Sequence, residues 1–251
     1  IGLDEAADVT FIDTQRQCPE VPLPILGLVG AAASRVSITV ASLGRLFQIP
    51  QISYASTSPL LSNQREEKYT YFFRTVIPDN IQARAIIAIV LQFEWNHISI
   101  IYSNNAYGAE GRNEIVDLAR IHNICVNLDE GLNDGAIDKE YEDVAKALNS
   151  SSAETVVAFA LDDTMTGLLE AYSKIHNHRN LRWIASDGWS QSDSITSKYS
   201  SVVHGMFGTA PASPQIDSFQ VYLKQLTINN NRCDNWFPQY FSVFANCTLK
   251  N

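Results

Sequence analysis

The sequence predicts an α/β protein, with parallel sheets covered by helices on both faces and the strands shared between two lobes. Three observations predict it. Strand-sized apolar runs alternate with helix-sized amphipathic ones along the chain, with short connections. Several runs are apolar on both faces, as strands buried under helices are, Ile25-Leu26-Gly27-Leu28-Val29-Gly30 being the first. The units are too many for one small sheet, and no linker or change of composition divides the 251 residues, so two lobes exchanging crossover strands suit the chain better than two domains in series. A closed (β/α) barrel is the competing architecture.

Taken in order, Pro19, Pro22 and Pro24 mark a loop before that first strand. Ser34 opens a helix whose apolar positions Val36, Val40, Leu43 and Phe47 recur at helical spacing. A strand from Ile49 to Tyr54 runs into the hydroxyl cluster Ser56-Thr57-Ser58. Leu60 to Tyr71 is polar and charged and reads as a surface excursion, and Arg74 to Asp79 as a connection. Asp79 is a natural N-cap for a helix carrying Ile81, Ala85, Ala88 and Ile89. His97 to Tyr102 is a strand, and Tyr107-Gly108 opens a helix through Ile115, Leu118 and Ala119. A strand at Ile124 to Leu128 precedes an acidic loop and a helix from Lys139 to Leu148. Thr155 to Ala160 is a strand, and Asp162 or Asp163 caps a helix bearing Met165, Leu168, Leu169, Tyr172 and Ile175. Trp183-Ile184-Ala185 is a strand ending at Ser186-Asp187-Gly188-Trp189, and Val202 to Gly208 is the last. A helix with Phe219, Tyr222, Leu223 and Leu226 and an aromatic tail follow.

Composition excludes several classes of function. The chain is 45% hydrophobic and 18% charged, enough for a sizeable core, and its net charge of -9 argues against nucleic acid, whose phosphates need clustered Lys and Arg. No apolar run approaches the ~18 residues of a membrane span. The chain has no Met start and no signal-like leader, and reads as a piece of something larger. Its four cysteines, Cys18, Cys125, Cys233 and Cys247, form no CxxC pair and lie near no His at ligand spacing, so no zinc or other metal is expected. Sequons at Asn149 and Asn246, together with the cysteines, point to an oxidising, extracellular setting. No GxSxG, HExxH, phosphate loop or complete dinucleotide fingerprint is present, so neither an enzyme nor a cofactor is expected. The pair His176 and His178 reads as a solvated surface pair.

In open α/β sheets ligands bind past the carboxyl ends of strands. The strand ends here deliver Ser34, then Ser56 and Thr57, then Asp187, while Asp79 and Tyr107 stand at helix starts. Hydroxyls at helix N-termini, with free N–H groups, suit a small carboxylate. Two acids and an aromatic face suit an ammonium. A zwitterion needs both sets facing each other. Each residue alone has a plainer explanation: a helix cap for Ser56, Thr57, Asp79 and Asp187, half-buried core for Tyr107.

Several segments together resemble the extracellular ligand-binding domain of class C G-protein-coupled receptors, the metabotropic glutamate receptors in particular. They are Gly30-Ala31-Ala32-Ala33-Ser34, the run from Phe47 to Ser58 with its Ser53-Tyr54-Ala55-Ser56-Thr57-Ser58 end, and Pro78-Asp79. Further along come Asn105-Ala106-Tyr107-Gly108, Ala185-Ser186-Asp187-Gly188-Trp189 and Asn235-Trp236-Phe237-Pro238, all in the family's order over nearly the whole chain.

The resemblance implies a Venus-flytrap domain, a two-lobed periplasmic-binding-protein-like fold that closes on an α-amino acid, glutamate or a relative. Lobe 1 would be residues 1–73 plus 213–251, and lobe 2 residues 74–212. Ser34 and Thr57, with Ser56 beside them, match the positions that hold the α-carboxylate; Asp79, Tyr107 and Asp187 match those around the α-ammonium. One basic residue that reads a distal carboxylate in the family is replaced here by Ser192, and a ligand anion deprived of it would miss a bond worth about 1.5–3 kcal/mol.

Also by resemblance, Cys18 joins two protomers, Cys125 bonds a downstream cysteine-rich domain, and Cys247 pairs beyond the C-terminus, whereas Cys233 has no counterpart. Few or no disulfides are therefore expected within the chain, the alternative being a Cys233–Cys247 bridge. Leu43 and Leu46 would face the other protomer of a homo- or heterodimer formed through lobe 1, or else pack in the core. A seven-helix domain and a G protein would lie downstream, with the ectodomain at the extracellular face of the plasma membrane. The alternative is a soluble or periplasmic-type amino-acid binding protein serving transport.

Overall fold

The structure is a computed structural model and describes residues 25–62, 68–227 and 236–245. The chain divides into two compact units, Ile25–Ala212 in one and Ile1–Pro24 with Ser213–Asn251 in the other. In the smaller unit the described elements are two helices, Asp217–Gln225 and Trp236–Phe244.

The larger unit begins β1 (Leu28–Val29), α1 (Ser34–Leu46), β2 (Gln51–Ser53), a 3-10 turn (Pro59–Ser62) and β3 (Phe72–Arg74). The three strands pair in parallel in the order β1-β2-β3. Leu28, Gln51 and Phe72 stand in register, and so do Val29, Ile52 and Phe73. The second row is exposed and the first turns inward, except for Leu28, which is half-buried. The unit continues α2 (Asp79–Gln92), β4 (His97–Ser103), α3 (Gly108–Ile121), β5 (Cys125–Leu132), α4 (Asp138–Ser150), β6 (Thr155–Phe159), α5 (Asp162–Ser173), β7 (Arg182–Ala185), α6 (Asp193–Lys198) and β8 (Phe207–Gly208). These five strands form a second parallel sheet, order β5-β4-β6-β7-β8. Both sheets are open, so the barrel alternative falls.

The second sheet is doubly wound. Every residue of β6 is buried, and its alternation feeds two cores. Val156 and Ala158 pack with Met165, Leu168, Tyr172 and Trp183 on the α4–α5 side. Val157 and Phe159 pack with Ile86, Ile98, Ile100 and Ile115 on the α2–α3 side. Each Val, Ile, Leu, Met or Phe among them contributes about 1.5–3 kcal/mol of burial. A strand covered on both faces needs no polar side, which explains the unbroken apolar runs.

Several expectations need correction. The stretch Leu60 to Tyr71 is not only surface. Leu61 and Tyr69 are buried and, with Phe72 and Ala41, make a small core of their own, and β3 follows directly. In α1 the residues turned inward are Ser34, Ser37, Ala41 and Gly44, while Val36, Leu43 and Phe47 are exposed. Small side chains let the helix sit close on the connection into β2: a Cβ on Gly44 would stand 3.0 Å from the Ile49 carbonyl oxygen. In α2 the buried stripe is Ala83, Ile86, Ile87 and Val90, and Ile81 is exposed. That helix is apolar nearly all round, so two stripes compete and spacing alone does not choose. The last strand is only Phe207–Gly208; Val202 and Val203 before it are buried in turns. The short helix α6 was not anticipated, and Ser192 caps it by accepting a hydrogen bond from the Ile195 N–H.

Candidate functional site

In the second sheet the chain leaves β4 for β5 on one side and returns to β6 on the other. At that switch point the carboxyl ends of adjacent strands open a crevice, because their connections run over opposite faces. A cavity of about 360 Å³ lies there. Asn105 and Tyr107 come to it after β4, Leu161 after β6, and Asp187 and Gly188 after β7. Its other wall comes from the carboxyl ends of the first sheet: Ala32, Ala33, Ser34 and Arg35 after β1, Ala55 and Thr57 after β2. Ser34, Thr57, Tyr107 and Asp187 thus share one cavity.

The first wall is held by buried hydroxyls. Gly30 takes a φ of 125°, open to glycine, as the chain leaves β1. Ser53 donates to the Ala31 carbonyl at 2.6 Å and accepts from the Ser56 N–H at 2.9 Å. The Ser56 hydroxyl lies 3.0 Å from the Ala31 carbonyl oxygen and 2.8 Å from Ser37 Oγ, fully buried. Ser56 therefore does not line the cavity; its hydroxyl is spent in joining the two loops. Ser34 Oγ accepts from the Ser58 N–H at 3.2 Å, which fixes α1 against the Thr57 loop. From behind, Arg74 donates to the Ser56 carbonyl at 3.2 Å, to the Ser58 carbonyl at 3.0 Å and to the Ser62 hydroxyl. α1 has no side-chain N-cap, so its first N–H groups are not taken up by a capping side chain where Ser34 and Arg35 line the cavity.

The second wall is centred on a phenol. Tyr107 Oη donates to Asp187 Oδ1 at 2.6 Å, lies 2.9 Å from Ser186 Oγ and accepts from the Gly188 N–H at 3.1 Å. Its ring packs on Phe159 at 4.9 Å. Burial, then the neighbouring Asp187 carboxylate, pushes the phenol well above its usual range, so it stays a donor. Two glycines permit the close fit. A Cβ at Gly108 would stand 2.7 Å from the Ser103 nitrogen, and one at Gly188 would crowd the Ala160 carbonyl and the Tyr107 ring.

Asp79 is the first residue of α2 and caps nothing; the position before it is Pro78 and the helix has no side-chain cap. It is buried behind Thr57, whose carbonyl accepts from the Asp79 N–H at 2.9 Å. Its Oδ2 has no hydrogen-bond partner among the described residues. Burial pushes the carboxyl up to about 8, opposed by a hydrogen bond from the Thr57 hydroxyl and reinforced by Asp187. Asp79 does not line the cavity but stands one residue behind its wall.

Arg35, Asn105 and Leu161 also line the cavity and were not anticipated. Asn105 had a signal, standing two residues past the end of β4. Arg35 follows Ser34 on α1 and ion-pairs with Asp134 at 2.8 Å.

The remaining expected positions lie elsewhere. Leu43 and Leu46 are exposed on α1. Asn149 is half-buried, its Oδ1 accepting from the Arg179 N–H at 2.9 Å. Cys125 is an exposed free thiol, and Cys18, Cys233, Cys247 and Asn246 fall outside the described residues. Among the described residues no cluster of His, Cys, Asp and Glu could hold a metal, and no helix is long and apolar enough to cross a membrane.

Residues 5–246 match the receptor family ligand binding region. The chain is 34% identical over 247 residues to metabotropic glutamate receptor 8 of Homo sapiens, and equally to that of Mus musculus and of Rattus norvegicus. The match covers 98% of this chain but 27% of the relative, so the chain spans about a quarter of the length of the receptors it resembles. Parallel sheets under helices, strand ends gathered on one cavity, and a family match over nearly the full length agree: the chain belongs to the receptor ligand-binding-region family, as a Venus-flytrap domain of the class C, metabotropic glutamate receptor-like kind.

Proposed function

We propose that the domain senses an α-amino acid, glutamate or a close relative, by closing two lobes on it. The observation that carries this is the facing of Ser34 and Thr57 by Tyr107 and Asp187 across one cavity, with a volume ample for an amino acid. The Ser34 and Thr57 hydroxyls and the first N–H groups of α1 take the α-carboxylate. Asp187 and the Tyr107 ring take the α-ammonium, and the Asp79 carboxyl, one residue behind the wall, acts on it through its charge without touching it. Ser56 positions the loop and does not touch the ligand.

Residues 1–73 with 213–251 act as lobe 1 and residues 74–212 as lobe 2. The ligand favours closure because only the closed form offers it both charged ends of the site, so it shifts an existing equilibrium by its differential affinity. In the whole receptor, lobe 1 pairs two protomers through Leu43 and Leu46, with Cys18 as a covalent link. Cys125 ties the domain to a cysteine-rich module, and a seven-helix domain passes the signal to a G protein. The domain then lies on the extracellular face of the plasma membrane, with glycans at Asn149 and Asn246. A transport binding protein would use the same cavity, but the three relatives named above carry the name of a receptor.

Calorimetric titration of the complete ectodomain with amino acids tests the assignment. An amino acid should bind more tightly than millimolar, and Asp187→Ala should weaken it at least tenfold. No binding at millimolar concentration, or no loss in Asp187→Ala, overturns the proposal.

A further inference from the structure

The geometry points to an ionic strap, Arg35 to Asp134, that holds the two walls of the cavity together before any ligand arrives and so sets how often the empty domain is closed. This rests on the two-lobe reading above and adds a control of closure that does not depend on what is bound. Arg35 stands on α1, within residues 1–73, and Asp134 on the connection between β5 and α4, within residues 74–212. Arg35 Nη1 donates to Asp134 Oδ2 at 2.8 Å. Among the described residues this is the one ion pair that joins those two groups. Backbone bonds also join them, from the Thr75 N–H to the Ser53 carbonyl at 3.1 Å and from the Asp79 N–H to the Thr57 carbonyl at 2.9 Å. Those lie just past the point where the chain itself crosses, where a hinge displaces atoms least. The Arg35 pair joins residues far apart in the chain, and opening breaks it.

Asp134 is held ready for this pair. Its Oδ1 accepts from Asn105 Nδ2 at 3.1 Å, and Asn105 Oδ1 accepts from the Tyr107 and Gly108 N–H groups at 3.0 and 3.2 Å. Asn104 Nδ2 donates to Asn133 Oδ1 at 2.7 Å alongside. The carboxylate is thereby fixed to the loop that carries Tyr107, and the cost of ordering the pair falls mainly on Arg35. The two side chains are 66% and 39% exposed, so water screens the pair and limits it to a few-fold change in an equilibrium. That strength suits a strap, enough to bias two states of similar free energy and too little to lock them. Ligand affinity scales with the fraction of the domain already competent to bind, so losing the strap lowers affinity for every ligand by one common factor.

Calorimetric titration of the complete ectodomain with glutamate and with glutamine tests this. Asp134 does not line the cavity, yet Asp134→Asn should weaken both ligands by the same factor, about two- to fivefold. Arg35→Gln should do the same, and the double variant should bind no more weakly than either single one. Raising salt from about 0.05 to about 0.5 M should cost the unaltered domain more affinity than it costs Asp134→Asn. Small-angle X-ray scattering of the empty ectodomain at low salt should show a larger radius of gyration for Asp134→Asn, a readout that needs no ligand. Both side chains are exposed, and matching thermal melts would show that the variants fold. Unchanged affinity in Asp134→Asn, additive losses in the double variant or equal radii overturn the strap. A changed glutamate-to-glutamine ratio in Arg35→Gln means that Arg35 touches the ligand, which also overturns it while the amino-acid proposal stands. If no amino acid binds the unaltered domain, the amino-acid proposal fails and the scattering alone decides the strap.

Discussion

Asp79 is an acid that the fold keeps largely protonated at neutral pH. Its carboxyl goes from an ordinary 3.8 to about 8, chiefly by burial. A ligand ammonium in the cavity on the other side of Thr57 favours the ionised form, so binding releases a proton in proportion to how much Asp79 is protonated beforehand. Amino-acid affinity should therefore rise with pH between about 6 and 8, by up to tenfold per unit, and level off above. Asp79→Asn should flatten the profile, as titrations in a pH series would show. The stability of the empty domain runs the other way. Its folded state holds a proton that the unfolded chain gives up above about pH 4, so stability is greatest below that and is lost as pH rises toward 8. Thermal melts of the two proteins should diverge over that window.

Which side chains line the cavity was legible from strand ends only in part. Thr57 lies four residues past β2 and Asp187 two past β7, and the rule about carboxyl ends finds them. Ser56 has the same residue type and the same place in the motif, yet its neighbour Thr57 faces the cavity while its own hydroxyl meets Ser37. Arg35 was passed over because a long, exposed, paired cation beside a helix start has no signature of its own.

Among the elements, α1 says most about the limits of periodicity. Val36, Leu43 and Phe47 form a helical stripe that, by amphipathic logic, should be the core face. The helix instead presents Ser37, Ala41 and Gly44 inward, because the buried hydroxyl network and the close approach to β2 need small side chains there. Ser37 Oγ accepts from the Ala31 N–H at 3.0 Å and from Gln51 Nε2 at 3.2 Å, and meets Ser56 Oγ at 2.8 Å. Ser37→Ala would strand buried polar groups, each costing about 1–3 kcal/mol. We expect a clearly lowered melting temperature and a weakened carboxylate wall, measured by calorimetry and amino-acid titration. The strand β3 went unseen for a related reason: three residues behind a charged run carry too little pattern to stand out. The strands β4 and β6 were plain because each is apolar on both faces.

At the scale of the molecule, alternation of strand and helix was enough to predict open parallel sheets, and the resemblance to receptor domains supplied what alternation could not, the gathering of distant segments at one cavity. The exposed stripe on α1 carries the prediction for assembly. If lobe 1 pairs protomers through it, Leu43→Glu with Leu46→Glu should make the complete ectodomain monomeric in analytical ultracentrifugation while leaving amino-acid affinity nearly unchanged. A dimer that persists would move the contact elsewhere.

The five-stranded sheet has one further consequence. Since all its strands run the same way, the sheet has one end at the cavity and an opposite end, where Cys125 opens β5 beside His97. The turns that lead into β4, β6 and β7, around Asn96, Ser152 and Asn180, sit a full strand length from the cavity. A reporter spliced into the Asn180 turn, away from Cys125, would ride on the domain without entering the cavity, which makes that turn the natural place to attach a label for watching the ligand arrive.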